Sequence, residues 1–136
     1  MSGTWLLYTD GASRGNPGLA GIGAVLYRQA GGRLKEVDSV SESIGHATNN
    51  VAEYKAMLAG LKMAASRDPE LLIIRADSEL LIKQLKGVYR VRNENLKPLY
   101  LEAKRLLGSV PSRLEHVPRE MNVRADELAN QALDRA

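Results

Sequence analysis

At 136 residues the chain has the length of one domain, read as residues 1–136, with enough sequence to build a core without staples. It contains no cysteine, which excludes disulfides, thiolate metal sites and a cysteine nucleophile and suits a reducing cytoplasm. Its 19 Lys and Arg against 16 Asp and Glu leave a net charge of +3, a mild lean toward polyanions, and no apolar run approaches the roughly eighteen residues of a membrane span.

The first element is an apolar run, Trp5-Leu6-Leu7-Tyr8, that reads as a strand buried on both faces. No basic segment precedes it, so no secretory leader is expected. The chain then places a carboxylate, Asp10, beyond the strand in a glycine-rich turn of Gly11, Gly15 and Gly18, with Asn16-Pro17 as the turn former. A charge straight after a core strand is costly unless a metal, a cation or water receives it. An isolated aspartate at such a place more often only caps the turn.

Residues 21–29 (GIGAVLYRQ) read as a second strand, 30–32 as a hairpin loop, and 33–43 as an edge strand whose Lys35 and Glu36 discourage edge-to-edge pairing. Gly21 and Gly23 are costly inside a strand unless something packs close to the backbone. His46 is read as a loop residue. From Val51 the apolar residues recur at helical spacing through Tyr54, Met57, Leu58, Leu61 and Ala65, with Asn49 or Asn50 as the cap and Asp68-Pro69 as the stop. Residues 71–76 (LLIIRA) form another buried strand that ends in an acid, Asp77, and Ser78 caps a helix running to Lys86 before Gly87. A helical pattern spans 93–107 and stops at Gly108. Residues 113–117 make a short strand, and Pro118 breaks the chain before Asn122 caps a last helix.

The order β-β-β-α-β-α-α-β-α predicts an α/β fold with a mixed sheet, an antiparallel meander followed by parallel strands, and helices on both faces. Right-handed crossovers set the strand at 71–76 beside and parallel to the first. Asp10 and Asp77 then emerge at one edge of the sheet, where open α/β sheets bind ligands. Glu53 and Asp126 each lie in the first turn of a helix, a common placement that the helix dipole alone favours.

The segments TDGASRGNPG, ATNNVAEYKAM, ADSELLIKQL and HVPREMNVRADELAN resemble the four signature blocks of ribonuclease H type 1, in family order and spacing, over nearly the whole chain. Each block carries one acid: Asp10, Glu53, Asp77 and Asp126. The resemblance implies the family's mixed five-stranded sheet flanked by about four helices. It also implies a metal-dependent endoribonuclease that hydrolyses the RNA strand of RNA–DNA hybrids and leaves 5′-phosphate and 3′-hydroxyl ends. Two Mg²⁺ ions per site would act with substrate bound, Mn²⁺ being an alternative, in a cytoplasmic monomer whose partner is the hybrid duplex. The chemistry of converging acids agrees. Two carboxylates about 4 Å apart repel by roughly 4 kcal/mol at an effective dielectric of 20, so they must hold protons or cations, and all-oxygen donors suit Mg²⁺ or Mn²⁺, not zinc.

By the same resemblance Asp10 bridges both ions, Glu53 and Asp77 hold the one nearer the leaving group, and Asp126 holds the one nearer the nucleophilic water. Glu53 also reaches the 2′-hydroxyl that distinguishes RNA. His116, ten residues before Asp126, matches the family's mobile-loop histidine, which assists water activation or product release. Gly11, Asn16, Thr48 and Asn49 match positions that touch the nucleic-acid backbone.

The chain departs from many relatives in lacking a long basic insertion after the second helix, where residues 86–95 (KGVYRVRNEN) alone form the link. Lys86, Arg90 and Arg92, with Tyr89 among them, are the nearest cations for the duplex; an ordinary solvated connector has the same composition. Glu79 stands where the family often has an amide that contacts RNA, so that contact is not expected. Residues 11–15 fit G-x-S-x-G, but a strand follows, the wrong context for a hydrolase nucleophile elbow. A silent hybrid-binding module would lack an acid. An enzyme acting on a different phosphodiester is disfavoured by the asparagine-rich TNN-x-A-E block.

Overall fold

Three consecutive strands pair as an antiparallel meander, β1 (Thr4–Arg14), β2 (Gly18–Ala30) and β3 (Arg33–Ala47), in a computed structural model that describes residues 3–136. β4 (Leu71–Ala76) lies parallel to β1, and β5 (Ser112–His116) lies parallel to β4, giving the sheet order β3-β2-β1-β4-β5. The helices are α1 (Asn49–Ala65), α2 (Glu79–Leu85), α3 (Lys97–Leu107) and α4 (Val123–Arg135), the last preceded by a single 3₁₀ turn, Arg119–Met121. This is the mixed five-stranded α/β sheet with four helices that the sequence predicts.

Alternation along β1 assigns the two layers. Leu7 and Thr9 face α1, where Gly60 admits both side chains. Leu7, Leu26, Leu72 and Ile74 of the sheet meet Met57 and Leu61 of α1 in one core cluster. Each such side chain, fully buried, contributes about 1.5–3 kcal/mol. The neighbouring Asp10 points to the opposite face, and its partner in β2 is Gly23, which lies under α4. A Cβ on Gly23 would meet the Ala125 carbonyl oxygen at 2.2 Å, and one on Gly21 the Ala129 oxygen at 2.5 Å. Helix backbone therefore rests directly on strand backbone, the close approach that glycines inside a strand demand.

Several boundaries differ from the sequence reading. Asp10 does not sit in a turn beyond β1: the strand runs on to Arg14, still paired with β2. Its parallel neighbour stops at Ala76, opposite Thr9, so from Asp10 onward β1 has lost one of its two partners, which is where the apolar pattern ends. β3 extends to Ala47, which makes His46 a strand residue opposite Leu19 instead of a loop residue. That end of the edge strand is largely exposed and carries no apolar alternation to reveal it. The hairpin loop is two residues, Gly31 and Gly32, both at positive φ, as a primed turn requires. Thr48, not Asn49 or Asn50, caps α1, its hydroxyl accepting from the Val51 amide at 3.2 Å. α3 starts at Lys97 because Pro98 favours the first helical turn, while Asn93 holds a separate turn by accepting from the Asn95 amide. Among the described residues no helix is long and apolar enough to cross a membrane.

Candidate active site

Where β4 ends, β1 continues alone on that side, and the notch so formed collects carboxylates. Asp10 lines it from β1 and Asp77 follows β4 directly, with Ser78 pinning the turn by accepting from the Leu81 amide at 3.2 Å. Glu53 arrives from the second turn of α1, one turn later than the sequence reading puts it, because the helix already begins at Asn49. A Cβ on Gly11 would meet the Ala52 carbonyl carbon at 2.3 Å, so the bare glycine is what lets α1 descend onto β1. The Gly11 amide then donates to Glu53 Oε1 at 3.1 Å. One carboxylate oxygen from each of Asp10, Glu53 and Asp77 lies within 4.8 Å of the others. Asp126, in the first turn of α4, lines the same cleft of about 480 Å³, and its carboxylate adds to the crowding at Asp10. The sequence-predicted quartet thus comes together from four elements.

Asp10 and Glu53 are 5% and 7% exposed. Burial, then the charges of Glu53 and Asp77, push the Asp10 carboxyl from 3.8 up to about 9. Burial, then the charge of Asp77, raises Glu53 from 4.5 to about 8, against the lowering effect of the Gly11 amide. The pair therefore favours holding protons that a cation would displace. The donor set fits a hard divalent ion: among the described residues the group is made of carboxylates alone, with neither imidazole nor thiolate.

Three residues in or beside the cleft were given no site role by the sequence. Arg119 brings its Nε to 3.9 Å from Asp77 Oδ2 on a side chain 83% exposed, too solvated to neutralise the cluster. Asn130 donates to Asp126 Oδ1 at 3.2 Å and to its carbonyl at 3.0 Å; the spacing of four along one helix was the signal for that contact. Asn122 was read as a cap, but its side chain makes no cap hydrogen bond and instead reaches Thr9 and Asp77.

The other expected site residues fall into three groups. Asn16 Oδ1 accepts from the Asn49 amide at 2.9 Å, tying the β1–β2 turn to the start of α1 beside Thr48, and Gly11 and Asn49 line the cleft. His116 ends β5 opposite Ala76, exposed, outside the cleft lining and facing Glu79. Lys86, Arg90 and Arg92 lie on the exposed connector, where Arg90 borders a separate hollow with Tyr89, Lys97 and Tyr100.

A mixed five-stranded sheet with four acids gathered in one cleft beside α4 defines an α/β protein with a carboxylate site, and comparison with known proteins narrows this. Residues 8–132 match the family described as reverse transcriptase-like. Ribonuclease HI of Halobacterium salinarum is 45% identical over 130 residues, 95% of this chain and 64% of that protein. Ribonuclease HI of Caulobacter vibrioides is 31% identical over 96% of this chain and 93% of its own length. The crystal structure of the Halobacterium salinarum RNase H1 superposes with a TM-score of 0.91 at 42% identity, covering 98% of this chain and 99% of the other. LC11-RNase H1 in complex with an RNA/DNA hybrid superposes at 0.89 with 38% identity, covering 96% and 97%. The chain belongs to the ribonuclease H type 1 family. It spans 64% of the halobacterial relative and 36% of a bifunctional protein of Mycobacterium tuberculosis to which it is 39% identical.

Proposed function

We propose that this chain is a metal-dependent endoribonuclease that hydrolyses the RNA strand of RNA–DNA hybrids and leaves 5′-phosphate and 3′-hydroxyl ends. The observation that carries the reading is the convergence of Asp10, Glu53 and Asp77 oxygens within 4.8 Å, beside Asp126, in a chain of this family. That LC11-RNase H1 binds an RNA/DNA hybrid supports the substrate. Two divalent cations, Mg²⁺ or Mn²⁺, would supply the charge that activates a water and stabilises the departing 3′-oxygen.

The protein's own work is to hold and orient. Asp10 shares the close cluster with Glu53 and Asp77 and the same cleft with Asp126, so it is the acid suited to serve both cation positions. Glu53 and Asp77 would complete one position and Asp126 the other. With Oε1 taken by the Gly11 amide, Glu53 keeps Oε2 for a cation or the 2′-hydroxyl. Gly11, Asn16, Thr48 and Asn49 would grip the backbone along the same edge. Lys86, Arg90 and Arg92 would attract phosphates further out. His116, outside the cleft lining, fits a part in product release better than one in holding the attacking water. The same reading takes the domain as monomeric and cytoplasmic.

The test is cleavage of matched RNA–DNA, RNA–RNA and DNA–DNA duplexes with Mg²⁺ and with Mn²⁺, followed by mass spectrometry of the ends. Hybrid cutting that yields 5′-phosphates and stops in EDTA is the expected result. Cyclic 2′,3′-phosphate ends, or activity that survives chelation, would remove the cation-holding role from the four acids.

A further inference from the structure

Asn122 is 1% exposed and stands one position ahead of α4, where an asparagine ordinarily spends its side chain on capping the helix. This one does not cap. Its Nδ2 donates to the Thr9 carbonyl at 2.9 Å and to Asp77 Oδ1 at 3.2 Å, and its own carbonyl accepts from the Asp126 amide at 3.1 Å. Thr9 immediately precedes Asp10 in β1. One residue therefore ties together the strand that carries Asp10, the turn that carries Asp77 and the helix that carries Asp126. The arrangement is costly: Asn122 Oδ1 is buried with no hydrogen-bond partner among the described residues, and the cap is forgone. A residue chosen for stability alone at this place would cap α4 and leave no buried acceptor unpaired.

We infer that Asn122 is a positioning residue for the cation site, its amide engaging Asp77 Oδ1 so that Oδ2 is the oxygen presented to the cleft, while its bond to the Thr9 carbonyl sets the spacing of Asp10 and Asp77 at the foot of α4. Oδ2 is the oxygen that Arg119 approaches at 3.9 Å. The inference rests on the function proposed above. Hydrogen-bond partners one layer behind a metal ligand typically change affinity or activity by about 10–100-fold when removed.

Two variants separate this role from a structural one. Asn122→Ala removes the amide. Asn122→Ser also removes it but supplies a good capping oxygen, with a hydroxyl too short to reach both Thr9 and Asp77. The measurements are Mn²⁺ binding to the substrate-free protein by calorimetry, thermal melting in EDTA, and kcat and KM on a hybrid at saturating Mn²⁺. The serine variant should melt above the alanine variant, yet both should bind Mn²⁺ about 10–100-fold more weakly than wild type, with kcat lowered and KM nearly unchanged. Should the alanine variant fail to fold, the serine variant decides. Wild-type Mn²⁺ affinity in the serine variant, or affinity that merely follows melting temperature, would overturn the assignment to Asn122 alone. A wild-type protein that binds no Mn²⁺ would overturn the functional reading along with it.

Discussion

The carboxylate cleft and the hollow beside α3 are of similar size, about 480 and 570 Å³, but they are made of different kinds of residue. In the cleft the charges come from four separate elements and are fixed from behind, Glu53 by the Gly11 amide, Asp77 by Asn122 and Asp126 by Asn130. The hollow is lined by the α2–α3 connector and α3, with Val88, Tyr89 and Leu101 exposed and the charges on long solvated stems. Its neighbouring ion pairs, Lys83 with Glu79 and Lys97 with Glu94, are surface pairs worth about 0–1 kcal/mol. Charge held in place can select an ion and a geometry. Charge left mobile can only attract, and attraction survives many small rearrangements.

The largest expected effect tests the first half of that contrast. Asp10→Asn should lower kcat by about a thousandfold or more, the scale seen when one member of a group acting as a unit is removed. Because it relieves crowding among buried acids, the same substitution should leave the metal-free fold intact or stabilise it by about 1–3 kcal/mol. Turnover in Mg²⁺ and thermal melts in EDTA measure the two arms. A variant with near wild-type turnover would take Asp10 out of the chemistry.

A pH series sharpens the same point. With folded values of about 9 for Asp10 and about 8 for Glu53 against 3.8 and 4.5, the folded state binds more protons than the unfolded state between those limits. The stability these two groups contribute is therefore present below pH 4 and lost as pH rises through about 8 and 9. The melting-temperature gap between Asp10→Asn and wild type in EDTA should widen from pH 5 to pH 9. A gap that stays constant would mean the cluster carries no excess protons. The companion measurement is proton release on adding Mn²⁺ at pH 7, which should approach about one to two protons per protein.

The smallest effect belongs to the connector. Replacing Lys86, Arg90 and Arg92 together by alanine should weaken hybrid binding and flatten its salt dependence by up to about one unit of slope per lost phosphate contact, with kcat at saturation little changed. Measuring Kd across a salt series decides it. An unchanged slope would put the binding surface elsewhere and leave the hollow without a part in recognition.

Asp10 and Asp77 were legible because each follows an apolar strand segment, so that topology alone delivers them to one edge; Glu53 and Asp126, each near the start of a helix, were legible through the resemblance of their blocks to the ribonuclease H type 1 signatures. The glycines at 21 and 23 were legible for a different reason: they are wrong for a strand unless a backbone lies across them, and α4 does. What stayed hidden was side-chain destination. Nothing in the residues around Asn122 distinguishes capping from reaching back to Thr9 and Asp77, because both uses place an amide ahead of a helix. Strand length was also hidden, since β1 beyond Thr9 and β3 beyond Ser43 are held by main-chain pairing with β2 that polar side chains do not advertise.

The contact of α4 with β2 has one more consequence. Where two elements meet through side chains, substitutions on either side shift them, and related proteins drift apart in how their helices sit. Here carbonyl oxygens of the helix meet glycine backbone, and there is no cushion of variable volume between them. The seat of α4 is therefore set by main-chain dimensions that are the same in every protein. The N-terminal end of α1 is seated in the same way on Gly11, so the side-chain layer further along α1 can accumulate changes in size and shape while the reach of Glu53 and Asp126 into the cleft stays constant.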